Sequence, residues 1–320
     1  MILNKSSLYL LLALLVTVFS SCNTEKKGSG EEYQGVQLGV ITYSWRSMPS
    51  TPQEIIGYCK MADISTIELM GYVAEQYAGA PAAEPRPENF KALSEEEKEK
   101  FHKRRAEASE AIIQWRVNNA SVEKYRELRT LFDEAGIDIH IVKFSPSKWS
   151  EEEIDYAFES AKILGAGGVS NEIGHEACKR LGPIAEKHGM YAIFHNHGQP
   201  GDTAFHFEDF LAYSPANMLN LDVGHYFGAS GKHPNELIEK LHERIYSIHL
   251  KDKTAKDGNP PDTNKAWGEG DTPLEDILLL IRDKQWDIYC DVELEYPLPE
   301  GSDAVKETAR CVRYCRGLLE

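Results

Sequence analysis

The chain lacks most of the features that announce a function outright. Its six cysteines include Cys59, Cys178, Cys290, Cys311 and Cys315, scattered with no paired CxxC. That spacing gives neither a zinc ribbon nor a disulfide framework. Cys311 and Cys315, one helical turn apart, read as core-facing. Positive charge is short as well: 35 Lys and Arg stand against 51 Asp and Glu, for a formal net charge of −16. Such a surface repels phosphate backbones, so nucleic acid is not an expected partner. No Gly-rich phosphate turn follows the first strand-like run, where "ITYSWRSMPSTP" stands instead, which argues against an open dinucleotide-binding sheet.

A long membrane-spanning run is missing too. The longest apolar stretch follows Lys5 in "LYLLLALLVTVFSSC" and ends in small residues and Cys22. A charged start, a short apolar run and a cleavage zone make a signal peptide over residues 1–21. Cys22 resembles the acceptor of a bacterial lipoprotein, although Phe19 stands where Leu is usual. Residues 22–35 read as a polar, Gly/Ser-containing tether. The expected location is therefore outside the cytoplasm, facing the periplasm, with membrane contact only through a lipid on Cys22.

What is present is a rhythm. Strand-like runs fall at 36–43, 65–70, 137–144, 167–172, 190–196, 218–223, 245–251 and 286–295, with helix-like segments between them. Ser94 with Glu97 and Ser150 with Glu153 have capping-box spacing. Gly136, Gly165 and Gly189 suit the left-handed residue that ends a helix. Eight strand–helix units predict an α/β fold, a (β/α)8 TIM barrel occupying residues 36–320. One connection is too long for a simple crossover. Residues 71–118 carry "GAPAAEPRP" and a charged helical run, an inserted helical segment after strand two whose place on the upper rim makes it a lid candidate.

In such a barrel chemistry gathers at the C-terminal ends of the strands. Here nearly every strand ends in an ionisable group: Glu68, Lys143, Glu172, His195 with His197, Asp222 with His225, His249 with Lys251, and Asp291, Glu293 and Glu295. Carboxylates and imidazoles without thiolates suit a divalent ion such as Mn, Zn, Co or Mg. Asp222 and His249, each ending an apolar strand, are expected ligands. Glu293 is favoured over Asp291 and Glu295, which share its face by the two-residue period. Glu172 and His195 compete for a fourth position. Lys143 fits a substrate clamp or a proton carrier, and Glu172, His195 and Glu293 are the other candidate catalytic groups. Expected substrate contacts are His197, His225, Trp45, Glu68 and Lys251. An ion in this setting acidifies a C–H beside a sugar carbonyl by stabilising the enediolate, while a carboxylate or histidine moves the proton.

The ordered motifs "LDVGH" (221–225), "IHLKD" (248–252), "WGEGDTPL" (267–274) and "VELE" (292–295) resemble the xylose isomerase-like TIM-barrel superfamily of sugar phosphate isomerases and epimerases. The resemblance spans roughly residues 36–318. It implies a divalent ion held by Glu, Asp, His and Glu from successive later strands, of which the last three fall on Asp222, His249 and Glu293. The family's first Glu is replaced: strand five presents "FHNH", so His195 occupies that place and Glu172 is the nearby carboxylate. Relatives with histidines here are similar to lyases acting on 3-keto-glycosides, which share with epimerases the first proton abstraction. The resemblance thus implies a metal-dependent isomerase or epimerase acting on a small carbohydrate, with a 3-keto-glycoside lyase or a non-catalytic sugar-binding lipoprotein as alternatives. A homo-oligomer is compatible with this reading. A DNA-repair endonuclease of the same superfamily is disfavoured by the negative charge.

Overall fold

The computed structural model describes residues 32–87, 89–118 and 120–320. The signal peptide and Cys22 lie outside the described residues. Eight strands close a parallel barrel in sequence order: β1 (Gln37–Ile41), β2 (Thr66–Met70), β3 (Asp138–Lys143), β4 (Gly168–Glu172), β5 (Tyr191–His195), β6 (Asn217–Asp222), β7 (Ile245–Leu250) and β8 (Tyr289–Val292), with β8 paired to β1. The chain is a (β/α)8 TIM barrel. Its helices are α1 (Pro52–Ala62), α2 (Gly71–Tyr77), α3 (Glu95–Asn118), α4 (Val122–Glu134), α5 (Glu151–Ile163) and α6 (His175–His188). They continue with α7 (Phe207–Leu211), α8 (Val223–Ser230), α9 (Pro234–Leu241), α10 (Leu274–Lys284) and α11 (Ala304–Leu319). Among the described residues no helix is long and apolar enough to cross a membrane.

Local chemistry sets the element ends. Both capping boxes form: Ser94 and Ser150 each accept from the amide of the glutamate three residues on, which reaches back to their own amides. Gly136 and Gly189 stop α4 and α6 with φ of 71° and 65°, where a Cβ would strain the backbone. The eighth strand is shorter than the 286–295 run, because only Tyr289–Val292 holds the ladder and the chain turns away after Glu293.

The period of two divides each strand between two environments. One face of the strands, including Val40, Leu69, Val142, Phe194, Leu221 and Ile248, is buried against the helical ring in the main core. The other face fills the barrel. Its floor is apolar, made by Ile141, Ile193, Met218, Tyr246 and Tyr289. Above that floor the interior turns polar, and parallel register aligns the strand ends there: Glu172 lies level with His195, and Asp222 with His249.

The 71–118 segment forms α2 and α3. Only Phe101 and Trp115 of α3 are buried, so its charged faces are solvated as expected. Arg116 fixes its end, binding Glu75 of α2 at 2.6 Å and Glu153 of α5 at 3.1 Å while its guanidinium stacks 3.5 Å over Trp149. Among the described residues no hydrogen bond or ion pair joins α3 to the barrel mouth, so the lid expectation gains no contact.

Candidate metal centre and active site

Four side chains from four consecutive strand ends converge at the mouth. His195, Asp222, His249 and Glu293 are buried, and one ligand atom from each lies within 4.8 Å of the others. His195 Nε2 stands 3.4 Å from Asp222 Oδ2 and 3.7 Å from Glu293 Oε2, which is 2.9 Å from His249 Nδ1. Sequence placed Asp222, His249 and Glu293 together and left the fourth place open between Glu172 and His195. The structure brings His195 into this group. Glu172 stands outside it, its side chain 44% exposed.

The "DVGH" turn explains how one aspartate serves two purposes. Asp222 caps α8, its Oδ1 accepting from the His225 amide at 2.7 Å, which leaves Oδ2 facing His195. Asn196 clamps β5 to β6 by accepting from the Asp222 amide and donating to its carbonyl. A Cβ on Gly224 would sit 2.2 Å from Lys251 Cγ, so only glycine lets that lysine pass. The Lys251 ammonium then meets Asp222 and Glu293, each at 2.9 Å, and Glu295 at 2.6 Å. It hydrogen-bonds only Glu295 and serves as counter-ion to all three carboxylates, so the structure places it inside the charge cluster, where a substrate contact was expected.

Beneath the cluster a polar layer orients it. Glu68 accepts from His249 Nε2 at 2.7 Å, Ser170 Oγ at 2.6 Å and Asn220 Nδ2 at 2.8 Å. Carboxylates stand on both ring nitrogens, so without an ion His249 is held as the imidazolium; a bound ion would displace the Nδ1 proton while Glu68 keeps the one on Nε2, the arrangement usual for metal-binding histidines. Glu68 is wholly buried, so it positions His249 rather than contacting substrate. Asp291 is turned away as well, to His140 Nε2 at 2.9 Å, and His140 stacks on Tyr289. Trp45 is another correction. Its indole is buried, donates to Thr308 on α11 and packs on Tyr58 of α1, outside the barrel.

Electrostatics and hydrogen bonding both fit a cation. Burial disfavours a charged His195, yet Asp222, Glu172 and Glu293 outweigh it and push its pKa up to about 9. His249 is likewise buried, and Glu293 and Glu68 raise it to about 10. Protons thus take the place of a positive ion. Burial opposes the ionised Asp222, but Lys251, His225 and His195 hold it well below its ordinary range. With neutral imidazoles, Asp222, Glu293 and Glu295 against Lys251 leave an excess that a divalent ion neutralises. His195 Nε2 and Asp222 Oδ2 are buried with no hydrogen-bond partner, a cost that a ligand at that point removes. The donor set of two imidazoles and two carboxylates suits a borderline or hard divalent ion.

Around this centre stand the more accessible groups. Glu172 accepts from Lys143 at 2.9 Å and meets His197 Nε2 at 2.8 Å and His195 Nδ1 at 3.3 Å. Burial would raise Glu172, but His195, His197 and Lys143 hold it far below the usual carboxylate range. His225 Nε2 lies 3.7 Å from Glu295 and 4.0 Å from Asp222, and its Nδ1 meets Lys253 Nζ at 3.1 Å. Sequence reasoning passed over Asn220, His140, Ser170 and Lys253. Asn220 was legible by the two-residue period from Asp222; Lys253, three residues past the end of β7 on Leu250 and in a long loop, carried no signal.

Residues 172–315 match the family model described as xylose isomerase-like TIM barrel. No curated protein matches the chain significantly. Among solved structures, a sugar phosphate isomerase/epimerase from Parabacteroides distasonis is 17% identical, covering 89% of this chain and 96% of its own, with a TM-score of 0.56. The probable 3-DHS dehydratase AsbF of Bacillus anthracis is 15% identical over 87% and 98%, with a TM-score of 0.57. A xylose isomerase domain protein from Planctomyces limnophilus is 14% identical over 90% and 97%, at 0.56. At these identities the likeness is one of fold.

Proposed function

We propose that this chain, which belongs to the xylose isomerase-like TIM-barrel superfamily, is an enzyme that removes a proton from the carbon beside a carbonyl of a carbohydrate. The observation that carries this reading is the His197–Glu172 pair, standing accessible beside the buried His195, Asp222, His249 and Glu293 cluster. His195, Asp222, His249 and Glu293 would hold a divalent ion, which would supply a Lewis acid at the carbonyl and so make the neighbouring C–H more acidic.

The protein's own groups divide the remaining work. The Glu172 carboxylate oxygen 2.8 Å from His197 Nε2 favours the tautomer with its proton on that nitrogen, which leaves Nδ1 with a lone pair. That lone pair is the general base, and Glu172 stabilises the imidazolium that forms. Lys143 holds Glu172 from the other side. Asn196 and Glu68 keep Asp222 and His249 in place. The named reactions of the structural neighbours, isomerisation or epimerisation in one and dehydration in another, are both compatible with loss of a proton next to a carbonyl.

Export through the 1–21 leader and a lipid on Cys22 complete the proposal, placing the activity on a membrane surface facing extracytoplasmic sugars. The test is hydrogen exchange. Protein loaded in turn with Mn, Zn, Co or Mg is incubated in heavy water with free ketoses and with 3-keto-glycosides, and deuterium at the α-carbon is read by mass spectrometry. The proposal expects incorporation that His197→Asn abolishes. Absence of exchange with every metal and substrate refutes it.

A further inference from the structure

All eight strands run parallel from foot to mouth, so the chain enters the barrel at its foot, where β1 begins. Tyr33 fixes that entry. Its backbone closes a two-residue turn with Val36 through bonds of 2.9 and 3.0 Å, with Gln34 and Gly35 at φ of 53° and 84°. Its hydroxyl donates to Glu320 at 3.0 Å, and the Arg316 guanidinium lies 5.0 Å from its ring. Arg316 in turn binds the Asp63 carboxylate and carbonyl, tying the last turn of α11 to the end of α1. From Tyr33 onward the chain is therefore pinned at the foot, the end opposite the cluster.

Cys22 and the residues up to 31 lie outside the described residues, but their number bounds their reach. The ten residue steps from Cys22 to Glu32 span at most about 33–36 Å. The outer ring is as tall as α11, whose 16 residues make roughly 24 Å. To lay the mouth on a surface that also holds Cys22, the chain must pass outside a helix about 10 Å across and climb that height. That takes the whole reach before any loop above the strand ends is counted.

Exposed apolar groups do not separate the two ends, since Tyr43, Tyr72 and Leu298 near the mouth match Met61 and Tyr191 at the foot. Charge does. Each of α1, α4, α5, α6, α10 and α11 has an acid in its first turn, toward the mouth, and all but α4 have a base in the last turn, toward the foot. This arrangement complements the helix dipoles. It also makes the mouth the end that anionic headgroups repel more strongly.

We propose that the foot of the barrel, strapped to the incoming chain by Tyr33, is the surface that rests on the lipid bilayer, with the mouth opening away from it. This rests on the lipid anchor at Cys22 proposed above. It also narrows the substrate class. A sugar carried on a membrane lipid is held at the wrong end of the barrel, whereas a free, water-soluble carbohydrate meets an open mouth.

The experiment uses the full chain, made with its leader in a bacterium that processes lipoproteins and reconstituted into vesicles of phosphatidylethanolamine and phosphatidylglycerol. The cysteines other than Cys22 are buried, so one introduced surface thiol takes a donor dye selectively. Glu176→Cys and Lys187→Cys place that dye at the mouth and foot ends of α6, eleven residues and roughly 16 Å apart along its axis. Energy transfer to acceptor-labelled headgroups is expected to be several-fold stronger from position 187. Equal transfer, as for a barrel lying on its side, or stronger transfer from position 176, overturns the orientation. Tyr33→Ala frees the residues before β1 and lengthens the reach by about 13 Å, so the difference between the dyes is expected to narrow; an unchanged difference overturns the strap. Protein that stays in the soluble fraction, with Cys22 unmodified by mass spectrometry, refutes the anchor itself and the orientation with it.

Discussion

Glu68 offers the sharpest test of how the cluster is positioned. Three donors converge on its two oxygens: His249 Nε2 at 2.7 Å, Asn220 Nδ2 at 2.8 Å and Ser170 Oγ at 2.6 Å. In Glu68→Gln the amide oxygen can keep the first two, which share Oε2, and the new NH2 then faces a Ser170 hydroxyl able to rotate and accept. The fold is therefore expected to survive. What is lost is the negative charge that raises the basicity of His249, since burial favours a neutral Glu68 and His249, Lys143 and Ser170 hold its pKa down to about 2. Partners of this kind are worth about 10–100-fold in metal affinity, or roughly 1.4–2.7 kcal/mol. Competition with a chromophoric chelator measures the dissociation constant, and thermal unfolding of the metal-free proteins checks the fold. A Glu68→Gln protein that melts like wild type and binds metal equally well would refute the assignment of His249 Nδ1 to the ion.

Three further outcomes follow from the geometry. Because His195 and His249 are raised to about 9 and 10, both carry protons at neutral pH without metal, and an ion must displace them; affinity should rise with pH from 6 to 8, and calorimetry in buffers of different ionisation heat should show proton release, whereas pH-independent binding contradicts this. Arg116→Met strands the carboxylates of Glu75 and Glu153, whose side chains are 8% and 5% exposed, and should cost about 3–5 kcal/mol in urea unfolding; an unchanged midpoint would show that α3 is not anchored there. Burial works against an ionised Glu307, yet Ser302, Tyr296 and Arg310 lower its pKa, so the stability it contributes is present above its ordinary value of 4.5 and fades as pH falls below that; Glu307→Gln should flatten the acid side of the stability profile, and an identical acid limb would count against the bond network at the end of β8.

The barrel was legible because each strand is an apolar run bounded by helix signals, and those runs locate the first seven strands to within a residue or two. In the eighth the acidic "VELE" reads as strand, while only Val292 and the three residues before it pair. Asp222 and His249 were legible because each ends an apolar run on the inward face, and register sets them level. The choice between Glu172 and His195 was not, because register places those two level as well. What separates them is reach: His195 turns inward, while Lys143 and His197 hold Glu172 outward. The pairing of His197 with Glu172 was illegible for a related reason, since the two lie on neighbouring strands and far apart in sequence.

The interior of the barrel changes character with height, and that gradient is what joins fold to chemistry. Aromatic and aliphatic side chains close the floor. Glu68, His140, Ser170, Asn220 and Asp291 form the next layer, buried yet mutually hydrogen-bonded, so that most of the cost of removing them from water is offset. In the cluster above, His195 Nε2 and Asp222 Oδ2 stand 3.4 Å apart, and neither finds an aligned hydrogen-bond partner. An apolar barrel would be easier to stabilise, and a fully satisfied polar one would have nothing left to bind. Unpartnered atoms occur below as well, at Asn220 Oδ1 and Asp291 Oδ1, but those of His195 and Asp222 lie in the layer nearest the mouth, supported from below by buried groups.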